Sequence, residues 1–172
     1  QSISNGIYKI VMAKNPNKVL DISEGSVNSG ANVQIWSYTN VLQQKFRLEY
    51  AGDGYYIIKN LKSGKVLDVC GGSGYNGANV WQYEYNGSDA QKWIIKPNND
   101  GTYNIISALN DVFLDVAYGM DANSTNVQVY KKNNTIAQKF KFEKVTATEL
   151  TSGTYGSSGL KIKGDSNGQN LR

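Results

Sequence analysis

Polar and apolar positions along this chain alternate with a period of two over short stretches, and glycine-bearing turns separate those stretches. Val33-Gln34-Ile35-Trp36 reads as a strand with its aliphatics inward and Gln34 and Trp36 outward. Val80-Trp81-Gln82-Tyr83 and Val127-Gln128-Val129-Tyr130 repeat it 47 and 94 residues later. The same step relates Leu20-Asp21, Leu67-Asp68 and Leu114-Asp115, then Gly25, Gly72 and Gly119, then Asn32, Asn79 and Asn126. It also relates Gln44-Lys45-Phe46, Gln91-Lys92-Trp93 and Gln138-Lys139-Phe140.

Each copy opens on a tight-turn dipeptide, Asn5-Gly6, Asp53-Gly54 or Asp100-Gly101, followed by a strand beginning near Tyr8, Tyr55 or Tyr103. A second strand carries Leu-Asp, a third the alternating aromatic, and a fourth is expected to start at Gln44, Gln91 or Gln138. The first interval is 48 rather than 47 at its opening turn, which places an extra residue in the Asn15-Pro16-Asn17 loop. Four strands in each of three copies make an all-β chain. A single copy is too small to bury its own apolar face, so the three are expected to close around one core. A β-trefoil with pseudo-threefold symmetry satisfies those counts; a propeller, which needs four or more blades, does not. The expected domain spans residues 1–145, with repeats over about 5–52, 53–99 and 100–145. Residues 146–172, rich in Gly, Ser, Thr and Asn, read as a polar linker or the start of a further segment, with Leu160-Lys161-Ile162 a candidate strand.

Composition narrows the chemistry. The chain has 172 residues and no histidine, which removes the commonest general base and metal ligand and every Ser-His or Cys-His nucleophile pair. No acidic cluster has calcium-loop spacing, so neither metal nor cofactor is expected. One cysteine, Cys70, excludes an internal disulfide and reads as a small buried hydrophobe. The net charge of +4 comes from scattered lysines rather than the basic stripe of a nucleic-acid binder. No apolar run is long enough for a membrane-spanning helix. The chain begins at Gln1, as a mature form or excised fragment would. Three Asn-x-Ser/Thr patterns, at Asn86, Asn123 and Asn133, are explained by Asn-rich hairpin loops. Because an active site is normally made once, three copies of a carboxylate, an aromatic and an amide point to binding. A glycosidase would also hold its carboxylates about 5–10 Å apart, whereas these would be spread around a threefold axis.

The Gln-x-Trp at Gln91-Lys92-Trp93, with Gln-x-Phe at Gln44 and Gln138, resembles the ricin B-type lectin superfamily, also called family 13 carbohydrate-binding modules. The resemblance covers roughly residues 5–145. It implies a secreted, non-catalytic module that holds sugar at up to three weak sites. In each, an aspartate (Asp21, Asp68, Asp115) accepts hydroxyl hydrogen bonds and an outward aromatic (Trp36, Tyr83, Tyr130) stacks under the ring. Gln44, Gln91 and Gln138 hold the aspartate from behind, and Gln34 and Gln128 are counted with them among the sugar-binding residues. The family's asparagine before the motif glutamine is replaced by Gln43, Ala90 and Ala137, so Asn40, Asn86 and Asn134 stand as substitute amides. The implied partners are a poly- or oligosaccharide, galactose-type ahead of arabinose or xylose, and a covalently linked enzyme or toxin component. Nucleic acid and membrane insertion are not implied. A protein-binding or inhibitory trefoil, or a salt-sensitive binder of sulfated glycan, remains the alternative.

Overall fold

The computed structural model describes residues 1–152. Twelve strands form three successive groups of four, and a short helix follows. The first group is β1 (Gly6–Met12), β2 (Lys18–Ile22), β3 (Val33–Ser37) and β4 (Phe46–Gly52). The second is β5 (Tyr55–Asn60), β6 (Val66–Val69), β7 (Val80–Tyr83) and β8 (Trp93–Pro97). The third is β9 (Tyr103–Ser107), β10 (Phe113–Val116), β11 (Val127–Tyr130) and β12 (Phe140–Lys144), with α1 (Ala147–Ser152) after it. Antiparallel pairing runs β1–β4–β5–β8–β9–β12 and returns to β1, so six strands close a barrel with no free edge. The remaining strands form the hairpins β2–β3, β6–β7 and β10–β11. This is a β-trefoil.

The repeats are tied together where sequence alone shows only recurrence. Asn32, Asn79 and Asn126 form a closed ring in which each side-chain amide donates to the next, at 2.8, 2.8 and 2.9 Å. Around them Leu20, Leu67 and Leu114, the strand valines, Phe46, Trp93 and Phe140 are all fully buried. Five residues separate Met12 from Lys18, against four between the equivalent Asn60 and Lys65, so the extra residue does fall in the Asn15-Pro16-Asn17 turn.

Several expectations are corrected. Gln44, Gln91 and Gln138 each end a 3₁₀ turn, and the fourth strands begin two residues later at Phe46, Trp93 and Phe140. The cause is the glutamine side chain, which bonds its own loop's backbone and so bends the chain there. Gln34 faces outward from the core but is buried beneath the site, and Cys70 is half-buried in a turn instead of lying in the core. Gln82 takes the inward position that Ile35 and Val129 hold elsewhere. Its amide is satisfied there by Ser26 O, Asn28 O and the Ser63 hydroxyl. The helix α1 has a signal the alternation pattern does not carry, the capping box Thr146-x-x-Glu149. Glu149 N–H donates to Thr146 Oγ1 at 3.0 Å and Thr146 N–H to Glu149 Oε1 at 2.9 Å. Leu160-Lys161-Ile162 lies outside the described residues.

Candidate functional site

In each outer hairpin the register sets the aspartate directly opposite a side chain able to donate: Asp21 faces Gln34, Asp68 faces Trp81, and Asp115 faces Gln128. Residues two apart share a face of a strand, so Trp36, Tyr83 and Tyr130 stand beside these pairs. Asp21 Oδ1 accepts from Gln34 Nε2 at 3.1 Å, Asp68 Oδ1 from Trp81 Nε1 at 2.9 Å, and Asp115 Oδ1 from Gln128 Nε2 at 3.2 Å. The other oxygen of each carboxylate accepts from Gln44, Gln91 or Gln138 at 2.9, 2.8 and 2.9 Å. The same three amides also donate to Ser37 O, Glu84 O and Lys131 O. Every carboxylate oxygen is thus fixed by one N–H from the protein, and acceptor capacity remains on the side that opens outward.

Three separate cavities result, with no lining residue in common. That of Asp21 is about 500 Å³ and also includes Glu24, Trp36, Thr39 and Gln43. That of Asp68 is about 240 Å³, with Trp81, Tyr83 and Asn86, and that of Asp115 about 370 Å³, with Tyr118, Tyr130, Asn133 and Ile136. Trp36 and Tyr83 are exposed, and Tyr130 is half-buried. The Trp81 and Tyr83 rings stack at 5.4 Å and 25°, forming one widened apolar platform. Among the described residues no group of three or more acidic or cysteine side chains is placed to hold a metal ion.

The substitute amides divide. Asn86 lines the Asp68 cavity, and its equivalent in the third repeat is Asn133. Both close Asx turns, accepting from Ser88 N and Thr135 N, so these Asn-x-Ser/Thr patterns are turn chemistry. Asn40 instead accepts from Tyr38 Oη at 3.0 Å, and Asn134 lines a different cavity. Thr39 takes the corresponding place in the first repeat.

Sequence pattern also misses Trp81 and Tyr118. Tyr118 is 93% exposed and adopts φ 57, where the equivalent positions carry Glu24 and Gly71. A left-handed conformation costs an L-residue roughly 1–2 kcal/mol, and glycine forfeits roughly 0.5–1 kcal/mol in backbone entropy. Tyr118→Gly is therefore expected to leave the fold as stable as before, or about 0.5 kcal/mol more so, by urea denaturation. It should weaken only ligands that reach beyond the Tyr130 ring, and unchanged disaccharide affinity would refute a wall role for Tyr118.

Burial raises Asp21, Asp68 and Asp115 above the usual aspartate range, opposed by the hydrogen bonds from their donors. A raised carboxyl takes up its proton earlier as pH falls. Binding that requires the ionised acceptor is thus expected to decline at higher pH than an ordinary aspartate would dictate. Ionising these groups opposes folding, so the stability they contribute is present at low pH and lost as pH rises through their folded range. Titration calorimetry between pH 3 and 7 checks the binding decline. The pH dependence of thermal unfolding in wild type minus that in an Asp21→Asn, Asp68→Asn, Asp115→Asn variant isolates the share of these three groups. It separates them from Glu149 and Asp100, which are shifted down and act in the opposite sense.

The sequence model for the ricin-type beta-trefoil lectin domain-like family matches residues 42–130. A designed threefold-symmetric protein, ThreeFoil, is 36% identical over 81% of this chain and 99% of its own, with a TM-score of 0.80. An exo-β-1,3-galactanase from Clostridium thermocellum is 31% identical over 84% of this chain, which spans only 31% of the enzyme, with a TM-score of 0.78. The Polyporus squamosus lectin, solved with Neu5Acα2-6Galβ1-4GlcNAc, is 27% identical over 84% of this chain and 50% of its own, at TM-score 0.73. No curated protein matches the chain.

Proposed function

Since the chain belongs to the ricin-type β-trefoil lectin family, we propose that it binds galactose-type sugars non-catalytically at up to three weak sites on one polysaccharide. The observation that carries this reading is the state of the three carboxylates. Each is held rigidly from behind by amide or indole N–H groups, opens into its own cavity, and has an aromatic ring at its side. A pyranose presents the complement, a polar rim of hydroxyls and an apolar C–H face. Carboxylate acceptors give the strong directional bonds, and the ring supplies the platform. Galactose is favoured over arabinose or xylose because its C–H face is continuous. The similarity to part of a galactanase supports the same choice.

In this reading the module is secreted and brings a linked catalytic or toxin component to its substrate. Single sites should bind at about millimolar strength, because the cavities are open and few hydroxyls leave water. Affinity electrophoresis against galactan, arabinan, arabinoxylan and mucin tests it. Galactan should retard the wild type, and the Asp21→Ala, Asp68→Ala, Asp115→Ala triple variant should run free. A second variant carrying Trp36→Ala, Tyr83→Ala and Tyr130→Ala removes two exposed rings and one half-buried ring, none of them in the core, and should also run free without unfolding. Equal retardation of all three proteins would move the search to a protein partner on the loops.

A further inference from the structure

A fourth polar cavity, of about 310 Å³, lies where the end of the second repeat meets the third, beside the Asp115 cavity. Its wall includes Lys96, Asn104, Phe113, Lys132, Asn134 and Lys139. Asp100 also lines the cavity, and its carboxylate is paired with Lys139 at 3.0 Å. Among the described residues, no carboxylate lies within ion-pair distance of Lys96 or Lys132. The cavity therefore carries two cations without a paired carboxylate, and lysines in water need no explanation by themselves. The internal symmetry supplies one.

Phe46 pairs with Tyr8 as Phe140 pairs with Tyr103, so Lys9 in the first repeat stands where Asn104 stands in the third. By the same superposition Glu143, Tyr38 and Lys45 correspond to Lys96, Lys132 and Lys139. That place in the first repeat is already filled, and what fills it is a carboxylate. Glu149 of α1 accepts from Lys9 Nζ at 3.1 Å and Tyr38 Oη at 2.8 Å, and its backbone carbonyl accepts from Lys45 Nζ at 3.2 Å. The middle repeat has Glu49, Ile57, Tyr85 and Lys92 there, with Glu49 paired to Lys59 and Lys92 to Asp89, and offers no such charge. In the third repeat the wall exchanges Glu143 for Lys96 and Tyr38 for Lys132, and no segment among the described residues covers it.

We propose that this cavity is a fourth binding site, for the carboxylate of a uronic-acid residue, with Lys96 and Lys132 as its cationic contacts and Asn104 and Asn134 as amide donors. Thr135 lines both this cavity and that of Asp115, so one acidic oligosaccharide can place a neutral sugar in one and its uronate in the other. That bridging rests on the galactose-binding reading above, whereas capture of the carboxylate does not.

The test compares a uronic-acid-substituted galactan with the same polymer after reduction of its carboxyl groups to alcohols. Wild type should bind the acidic polymer about fivefold more tightly, the size of one partly exposed ion pair. The Lys96→Gln, Lys132→Gln double variant should lose that gain while keeping its affinity for the reduced polymer and its melting temperature. The gain should also shrink with added salt, as binding of the neutral polymer does not. Equal binding of both polymers by wild type, or a gain that survives in the variant, overturns the proposal. Failure of both polymers to bind would overturn the galactose reading instead. The carboxylate site is then decided by NMR, where methyl glucuronide, and not methyl glucoside, should shift the Lys132 and Asn134 amides. If acetyl-Thr-Glu-Leu-amide, a mimic of the segment around Glu149, shifts those amides and the glucuronide does not, the occupant is an acidic peptide and the uronate assignment is wrong.

Discussion

Silencing any two of the three aspartate cavities is expected to lower the apparent affinity for a long polysaccharide by about a hundredfold. Affinity of the surviving site for a monosaccharide should stay where it was. The three cavities share no lining residue and each is centred on the aspartate of a different repeat, so they can be removed one at a time. A site that binds at about millimolar strength holds a free sugar poorly. Once one residue of a polymer is seated, however, the others search a small volume around the second and third sites. The gain vanishes if the chain cannot reach from one cavity to the next. Titrating Asp21→Ala with Asp68→Ala against oligosaccharides of increasing length reads that reach directly. Wild type should pull ahead of the variant only above the length that spans two cavities. A constant threefold difference at every length would show that the sites act alone.

The trefoil is legible in the sequence because it is written three times at one spacing. Periodicity gives the number of copies, alternation gives the strands, and the inability of one copy to bury itself gives closure. What the linear pattern cannot show is which recurrences meet. Asn32, Asn79 and Asn126 recur as plainly as the aspartates, yet only the folded chain brings them into one ring. The site is partly legible for the same reason. Its carboxylates, exposed rings and buried glutamines sit at the repeat step, but its variable walls do not announce themselves. Trp81 takes the outward position that Gln34 and Gln128 hold in the other copies, but the repeat pattern does not show that its indole N–H serves Asp68. Gln82, inward by the same alternation, is a polar residue in a core position and is tolerated there because Ser26 O, Asn28 O and the Ser63 hydroxyl satisfy its amide. Matching Asn40, Asn86 and Asn134 as one set breaks the 47-residue step, which runs from Asn86 to Asn133. Tyr118 gave no signal, since nothing local favours a tyrosine at a left-handed position.

Replacing Gln91 with alanine is expected to destabilise the protein by about 3–4 kcal/mol, a midpoint shift of about 10 °C. Gln91 is fully buried and has three partners: Asp68 Oδ2 at 2.8 Å, Glu84 O at 2.9 Å and the N–H of Asn86 at 2.8 Å. Truncation strands all three, and buried polar groups without partners cost about 1–3 kcal/mol each, part of it recovered by water entering from the adjoining cavity. The variant should bind sugar poorly at the second site even where it remains folded. Asp68 loses a hydrogen bond that favours its ionised form, so burial pushes its pKa further up. Gln91→Glu separates shape from charge. It keeps the volume but sets a second carboxyl against Asp68, so both carboxyls should titrate above their unfolded values. Relative to wild type, its stability should then fall as pH rises through the folded range of the pair. Unfolding curves at pH 4 and pH 7 decide it. If Gln91→Glu differs from wild type by the same amount at both, Gln91 does not face the Asp68 carboxylate in solution and the buried-support role given to all three glutamines fails.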